Sequence, residues 1–386
     1  MKFDLPKTVK KTLDTILANG YKAYIVGGCV RDLLCGKVPH DYDIATDATP
    51  QEIKSLFSKT VDTGIKHGTV TVIADGEPIE VTTFRTEGSY SDSRHPESVS
   101  FVSDITKDLA RRDFTVNAMC YNDTEGLIDC FGGTNDIKSK TLRAVGDAKT
   151  RFNEDALRIL RLFRFSATLD FKIEKQTFDS AKECAHLLKN ISAERIFAEL
   201  KKAAMGNNIT AICPLLETNA LENYCLKSGD LNGIKDLDFK ENLRIFALLN
   251  LTSLNLARTL ESLKCSNDFK DYCFKMNSLS QGIISADKVS IKRALNFADK
   301  DIVYDILSYY KHILKIDVTK HLSLLDEIFK NGEPYKISQL ALSGSDLLNL
   351  GVKGRDIGEK LDFLLNTVIT HPEYNSRDKL LNLICN

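Results

Sequence analysis

Residues 24–46 read YIVGGCVRDLLCGKVPHDYDIAT, and this stretch decides the fold of the N-terminal part of the chain. Residues 24–26 form a short apolar run typical of a strand, and Gly27 and Gly28 open a predicted helix. Two glycines let backbone N–H groups approach a phosphate closely, and Arg31 adds a positive charge beside them. The pattern is neither the dinucleotide-binding G-x-G-x-x-G nor the P-loop, and taken alone a tight strand-to-helix turn is the simpler interpretation.

Two carboxylates follow the glycine turn. Asp41 and Asp43 lie two residues apart, so on a strand both side chains would project from one face. Like charges that close are costly unless a cation binds them, and Mg²⁺ prefers carboxylate oxygens combined with substrate phosphates. Taken alone the pattern is weak, because most such pairs are solvated in loops. Glu80 is the candidate third carboxylate, because it is a charge in an apolar run; an edge-strand residue facing water is an equally good interpretation.

The composition is that of an ordinary globular protein. A chain of 386 residues with 43% hydrophobic and 27% charged residues predicts two or three domains with a real core. No run approaches the ~18 apolar residues of a membrane span, and no signal-peptide pattern is evident, so we expect a cytoplasmic protein without a membrane partner. The ten cysteines form no C-x-x-C pair, so neither a metal cluster nor a disulfide framework is expected.

The chain divides into a mixed part and a helical part. Residues 69–84 predict a hairpin, residues 85–98 a polar loop, and residues 153–167 one helix. We therefore predict an α+β protein with a small mixed sheet in an N-terminal head, followed by an all-α neck, body and tail. The predicted boundaries are 1–147, 148–205, 206–330 and 331–386.

Several motifs occur in the order and spacing of a known family. They are GG-x-VRD at 27–32, D-x-D-x-AT at 41–46, RRDFTVNA at 111–118, ED-x-x-R-x-x-R at 154–161, ERI-x-x-EL at 194–200 and SG-x-DLL-x-LG at 343–351. Together they resemble the tRNA nucleotidyltransferase/poly(A) polymerase family, in its class II, bacterial-type branch. The resemblance covers residues 20–205 and the tail, whereas residues 206–330 carry no usable motif.

The resemblance implies a reaction and its partners. Members of this branch have a polymerase-β-like head and add CCA to the 3′ end of tRNA without a template, transferring NMP from CTP and ATP and releasing pyrophosphate. The implied cofactor is Mg²⁺, in a two-metal mechanism. The implied partners are the acceptor stem and elbow of tRNA, CTP and ATP, and the implied assembly is a monomer or homodimer.

The resemblance also implies roles for individual residues. Asp41 and Asp43 would bind metal and act in catalysis, with Glu80 beside them. The nucleotide would be held by Gly27, Gly28, Arg31, Arg112, Asp113, Asn117, Asp155, Arg158 and Arg161, with Arg112 at the triphosphate and Asp113 at the ribose 2′-hydroxyl. On one helix, Asp155 and Arg158 would face the same way. A carboxylate accepts from the amine shared by cytosine and adenine, while a guanidinium donates to the ring acceptors, so uracil and guanine are rejected.

Two further segments distinguish subtypes. In the family, CC-adding enzymes lack much of the flexible loop that here includes Arg85, Tyr90, Asp92 and Arg94, so CC-only addition is disfavoured. In the tail, the resemblance implies tRNA binding at Gly351, Lys353, Gly354 and Arg355. Residues 194–200 would brace the neck helices, without a catalytic role.

Four alternatives stay open at this point. An A-adding enzyme would keep the same loop, and poly(A) polymerase is the nearest rival within the family. A catalytically inactive RNA-binding module is disfavoured by the intact motif residues. A small-molecule nucleotidyltransferase would share the glycine turn and the carboxylates, but would not need motif 154–161 or the long helical part.

The net charge of −1 conceals an uneven distribution. Residues 1–150 carry a net charge of −3 and residues 151–386 a net charge of +2, with +3 in the segment 151–205. An acidic, metal-binding head and a mildly basic helical part therefore predict moderate, salt-sensitive RNA affinity that depends on shape more than on charge.

Overall fold

A computed structural model describes residues 2–87 and 99–385 of the chain. The chain forms two compact units, Met1–Gly229 and Asp230–Asn386. The first unit contains the strands together with the glycine turn, and the second is built from helices. The finer division at 147, 205 and 330 stays a prediction.

The described part of the first unit contains a mixed sheet with the strand order β3-β4-β5-β2-β1-β8-β9. Two short pairs, β6 with β7 and β10 with β11, lie outside this sheet. The strands are β1 (Ala23–Val26), β2 (Asp43–Thr46), β3 (Thr60–Gly64), β4 (Thr69–Ala74), β5 (Glu77–Thr83), β6 (Arg85–Glu87), β7 (Val99–Phe101), β8 (Met119–Asn122), β9 (Gly126–Asp129), β10 (Thr141–Leu142) and β11 (Lys172–Ile173). The predicted α+β class with a mixed sheet is confirmed.

The order of the strands explains the sequence pattern. Strand β1 is buried along its whole length and pairs antiparallel with β2 and β8, which fits its uninterrupted apolar run. Strands β4 and β5 form the predicted hairpin, with Asp75 and Gly76 at positive φ in its turn. Strand β2 is joined to β5 by a parallel pairing, which makes the sheet mixed.

The helices of the first unit pack around this sheet and continue past it. They are α1 (Lys7–Ala18), α2 (Gly28–Leu34), α3 (Pro50–Leu56), α4 (Ile105–Ala110), α5 (Gly133–Lys138), α6 (Ala148–Glu154), α7 (Leu157–Leu169), α8 (Lys175–Cys184), α9 (Ala193–Ala204) and α10 (Cys213–Leu216). Helix α3 begins after Thr49, which forms a capping box with Glu52, and Pro50 occupies its first turn.

The single helix predicted over 153–167 is wrong. Two helices, α6 and α7, meet at Asp155, whose backbone is extended at φ −135° and ψ 102°. The Asp155 carboxylate accepts a hydrogen bond from the Leu157 N–H at 3.0 Å. This local bond offers the backbone an alternative to continuing the helix.

The described part of the second unit is helical throughout. Its helices are α11 (Glu241–Thr252), α12 (Leu256–Ser262), α13 (Asn267–Gln281), α14 (Lys288–Phe297), α15 (Lys300–Tyr309), α16 (Thr319–Lys330), α17 (Gly344–Asn349), α18 (Arg355–Thr370) and α19 (Arg377–Cys385). Leu347, Leu364 and Val368 belong to a buried cluster near its C-terminal end. Within the described ranges, no helix is long and apolar enough to cross a membrane.

Candidate active site

The pairing of β2 with its neighbours brings the acidic residues together. Asp43 is the first residue of β2, lies opposite Val26 on β1 and is in register with Glu80 on the parallel strand β5. Asp41 precedes the strand and is exposed, so the two aspartates do not share one regular strand as predicted. The edge-strand interpretation of Glu80 is wrong, because β5 pairs with both β4 and β2. Its side chain is exposed and adjacent to Asp43, and a role at a metal site stays a prediction.

The electrostatics of this cluster favour a bound cation. Partial burial, the Asp41 charge and the Glu80 charge raise the pKa of Asp43 to about 6, and only Arg112 opposes them. Among residues 2–87 and 99–385, no three His, Cys, Asp or Glu side chains are grouped so that they could hold a metal ion by themselves. The Asp41 and Asp43 carboxylates supply the oxygen ligands that a hard divalent cation prefers, and further ligands would have to come from a substrate or from water.

Gly27 has a backbone conformation that favours glycine, and the Arg112 guanidinium lies close beside it. The residue has φ 77°, and a Cβ there would lie 2.6 Å from the Nη1 atom of Arg112. The other terminal nitrogen of Arg112 lies 3.2 Å from Asp108. The Nε atom of Arg112 is buried and has no hydrogen-bond partner among the described residues. An arginine beside the glycine turn suits the predicted contact with a triphosphate through its terminal nitrogens, since the Nε atom is buried.

Asp108 is a site residue that the sequence reasoning missed. Its side chain is 1% exposed and pairs with Arg111 at 2.7 Å as well as with Arg112. It also accepts the backbone N–H of Arg85 at the start of the polar loop. The signal was available, since an aspartate three and four residues before two arginines on a helix predicts ion pairs.

Arg31, Asn117 and Asp113 bond to one another inside the protein. The Arg31 guanidinium donates to Asn117 at 2.6 Å and to Asp32 at 2.8 Å. The Asn117 amide donates to Asp113 at 3.1 Å. The structure thus gives Arg31 and Asn117 internal partners where the sequence predicted contacts with the nucleotide, and those contacts stay predictions.

Asp113 is joined in turn to the last arginine of motif 154–161. Arg161 donates two hydrogen bonds to Asp113, at 2.9 and 2.7 Å, and its other terminal nitrogen lies 3.8 Å from Glu199 on α9. Arg164 pairs with Glu199 at 2.9 Å and stacks on the Phe165 ring. A chain of hydrogen bonds and ion pairs therefore connects Arg31, through the neutral Asn117 amide, Asp113 and Arg161, to α9. If Asp113 contacts the ribose as predicted, the same carboxylate must also bind Arg161.

The Asp113 carboxylate should make the free energy of unfolding depend on pH in the acid range. Burial alone would raise its pKa, but the Arg161 charge and the hydrogen bonds from Asn117 and Arg161 lower the pKa to about 2. Because the folded pKa lies below the unfolded one, the carboxylate stabilises the fold above about pH 4, by about 2 kcal/mol, and this stabilisation disappears as the pH falls toward 2.

We expect Asp113→Asn to lower the free energy of unfolding by about 2 kcal/mol at pH 7 and by much less at pH 2.5. Urea unfolding followed by circular dichroism at several pH values measures both differences. A deficit that is equal at pH 7 and pH 2.5 would contradict the assigned charge state of Asp113.

Asp155 and Arg158 lie at the junction of α6 and α7. Asp155 accepts Arg195 Nη2 at 2.9 Å, while Arg158 donates to Glu154 at 2.8 Å and to the Arg111 carbonyl at 2.9 Å. Arg158 is 8% exposed, whereas Asp155 is half-buried. The structure brings the two residues near the same helix junction, but it does not place them on one helix.

The remaining predicted residues fall into two groups. Arg85 lies on β6, and its guanidinium donates to the His67 carbonyl. Tyr90, Asp92 and Arg94 lie outside the described residues. Gly351 and Gly354 have φ of 86° and 60°, flank the exposed Lys353 and precede α18, where Arg355 pairs with Glu359 at 3.1 Å.

Two family models match the first unit. The poly A polymerase head domain matches residues 23–143, which contain the mixed sheet and the carboxylates. A model described as the probable RNA and SrmB-binding site of polymerase A matches residues 170–227.

Relatives match almost the full length of the chain. A CCA-adding enzyme of Lactococcus lactis subsp. cremoris is 36% identical over 387 residues, which cover 96% of this chain and 93% of that protein. One of Ligilactobacillus salivarius is 37% identical, over 98% of this chain and 96% of that protein.

A solved structure shares the fold over the same span. The CCA-adding enzyme of Bacillus stearothermophilus in complex with CTP superposes with a TM-score of 0.82 at 28% identity, covering 98% of this chain and 97% of that one. Because relatives above 30% identity span nearly the whole chain and the acidic cluster lies within the matched head domain, the protein belongs to the CCA-adding enzyme family of nucleotidyltransferases.

Proposed function

We propose that this protein adds CCA to the 3′ end of tRNA, transferring nucleotides from CTP and ATP with release of pyrophosphate. The observation that carries the proposal is the cluster of Asp41, Asp43 and Glu80, in which burial and the other two charges raise the pKa of Asp43. Arg112 lies beside the glycine turn at the same site. Support also comes from the relatives named CCA-adding enzymes and from the CTP complex of the Bacillus enzyme.

The reaction needs a nucleophile, a stabilised triphosphate and a leaving group. The tRNA 3′-oxygen forms a bond to the α-phosphorus of the NTP. The bond between the α-phosphorus and the oxygen that bridges to the β-phosphate breaks, so pyrophosphate leaves, and the hydroxyl proton passes to solvent. Two Mg²⁺ ions held at Asp41 and Asp43 would activate the 3′-hydroxyl and neutralise charge on the triphosphate. Arg112 binds the triphosphate through its positively charged guanidinium, and Asp108 holds this guanidinium in place through an ion pair at 3.2 Å.

Base choice is assigned to the junction of α6 and α7. Asp155 accepts the exocyclic amine of cytosine or adenine, and Arg158 donates to the adjacent ring acceptor. Glu154 fixes the Arg158 guanidinium at 2.8 Å, which limits the directions in which its donors can point. This readout rejects bases that carry a carbonyl in place of the amine.

We assign tRNA binding to the helical parts of the chain. The head, neck, body and tail are proposed as 1–147, 148–205, 206–330 and 331–386, with the neck and tail holding tRNA. Lys353 and Arg355 are exposed in the tail and can meet phosphates. A cytoplasmic location and a monomeric or homodimeric state stay predictions.

One incubation tests the proposed function. The protein is mixed with Mg²⁺, CTP, ATP and tRNA transcripts that end before CCA, after C or after CC, and the products are sequenced. We expect every transcript to be completed to CCA. Extension of the CC-ended transcript alone would instead indicate an A-adding enzyme, long A tails on unrelated RNA would indicate a poly(A) polymerase, and no incorporation would indicate an inactive RNA-binding module.

A further inference from the structure

Helix α9 carries two charged residues one turn apart that bond to different parts of the helix pair α6–α7. Arg195 pairs with Asp155 at the junction of these helices, and Glu199 pairs with Arg164 further along α7. Residues i and i+4 lie on the same side of a helix, so one face of α9 serves both contacts. The contact of Arg195 with Asp155 suggests that the motif at 194–200 does more than brace the neck helices, which was its expected role.

The Asp155 carboxylate depends on Arg195 for its orientation. One carboxylate oxygen accepts the Leu157 N–H at 3.0 Å, and the other accepts Arg195 Nη2 at 2.9 Å. Because Asp155 lies at a break with extended backbone, it lacks the restraint that a helix imposes on side-chain rotamers. The guanidinium therefore supplies the side-chain contact that fixes where the second oxygen points.

The geometry of Arg195 also differs from that of an ordinary surface ion pair. Its side chain is 27% exposed, and its Nη1 atom is buried without a hydrogen-bond partner among the described residues. A buried donor without a partner costs free energy, which a structural brace alone has no need to retain. The donor lies on the same guanidinium that holds Asp155, at the segment assigned to base choice.

We propose that Arg195 is a positioning residue that sets base selectivity by fixing the Asp155 carboxylate. The inference rests on the proposed function, since it assigns Asp155 to the exocyclic amine of the incoming base. Discrimination between an amine and a carbonyl depends on the direction and distance of the accepting oxygen. A carboxylate held by the backbone contact alone can rotate, and its selectivity then declines while the fold persists.

The test compares three substitutions at Arg195 with a matched control. Arg195→Ala removes the contact, Arg195→Gln keeps a neutral donor on a shorter side chain, and Arg195→Lys keeps the charge. Arg143→Ala is the control, because Arg143 forms an ion pair with Asp136 at 3.2 Å in the same unit, whereas the described hydrogen bonds of the Asp155 side chain go to Leu157 and Arg195. The value of kcat/KM is measured for CTP and UTP on a transcript lacking CCA, and for ATP and GTP on a transcript ending in CC.

We expect Arg195→Ala to lower the CTP-to-UTP and ATP-to-GTP ratios of kcat/KM by about 10-fold or more. Arg195→Lys and Arg195→Gln should restore part of each ratio, and Arg143→Ala should leave both ratios unchanged. If alanine prevents folding, the glutamine variant carries the comparison, with melting temperatures recorded for all variants.

Two outcomes separate this inference from the proposed function. Equal loss of kcat/KM for all four nucleotides, with unchanged ratios, would show that Arg195 only supports the fold and would overturn the inference. A wild-type protein that incorporates no nucleotide would instead overturn the proposed function itself.

Discussion

Replacing Asp43 with asparagine is expected to reduce nucleotide incorporation by about 1,000-fold or more. The amide keeps the size and shape of the side chain but removes the negative charge that a hard divalent cation requires. Metal-ion catalysis contributes several kcal/mol of transition-state stabilisation, and each 1.4 kcal/mol corresponds to a factor of ten in rate. Single-turnover incorporation of CMP into a transcript lacking CCA measures the loss.

The same substitution should leave the fold intact. Burial and the charges of Asp41 and Glu80 already disfavour the ionised form of Asp43 in the metal-free protein, as its raised pKa indicates. Removing the charge relieves this repulsion, so the melting temperature should stay the same or rise, and binding of tRNA should persist. Asp75→Asn is the matched control, because Asp75 is exposed at the β4–β5 turn and pairs with Lys11. Near-normal turnover by Asp43→Asn would refute the metal-site assignment.

The acidic cluster shows what a sequence pattern can predict and where it fails. The spacing of Asp41 and Asp43 after a glycine turn is local, so it predicts a cation site with no knowledge of the sheet. Glu80 stayed ambiguous because its contact with Asp43 arises from a parallel pairing of β2 with β5. A parallel register is set by packing between distant segments, and periodicity within one segment carries no information about it.

Arginines were harder to assign than carboxylates. Arg31 and Arg112 both lie in motifs, and each was expected at the phosphates. In the structure Arg31 bonds to Asn117 and Asp32, whereas Arg112 retains a buried donor without a partner among the described residues. An arginine side chain is long and flexible, and its guanidinium binds an internal carboxylate as readily as a phosphate. Only the three-dimensional structure therefore distinguishes an arginine with internal partners from one that is available to a phosphate.

The break at Asp155 was missed for a different reason. Residues 153–167 have the apolar spacing of one helix, and periodicity alone continues through the junction. The competing signal was an aspartate whose side chain can bond to the backbone two residues later, which favours a turn. Arg195 adds a tertiary contact that holds this conformation, and α9 lies too far along the chain for a local pattern to include it.

Replacing Gly27 with alanine is expected to lower kcat/KM for CTP by about 100-fold. Alanine at φ 77° adopts a left-handed region that costs about 1–2 kcal/mol for residues with a Cβ. The new methyl group would also lie 2.6 Å from Arg112 Nη1, so the guanidinium must move away from the turn. Displacing one preorganised donor from a developing phosphate charge typically costs about 100- to 1,000-fold in rate.

Two comparisons separate the displacement of Arg112 from backbone strain. Gly132 has φ 78° and ψ 21°, against φ 77° and ψ −125° at Gly27, and a Cβ there would meet no described atom within 4 Å. Gly132→Ala therefore controls for a positive φ without a clash, and it should keep most of the activity. If the methyl group acts through Arg112, then Gly27→Ala combined with Arg112→Ala should be little worse than Arg112→Ala alone, because the second change has nothing left to displace. Fully additive losses in this double-mutant cycle would mean that Gly27 and Arg112 act independently, and the close approach at the turn would then have no part in binding the triphosphate.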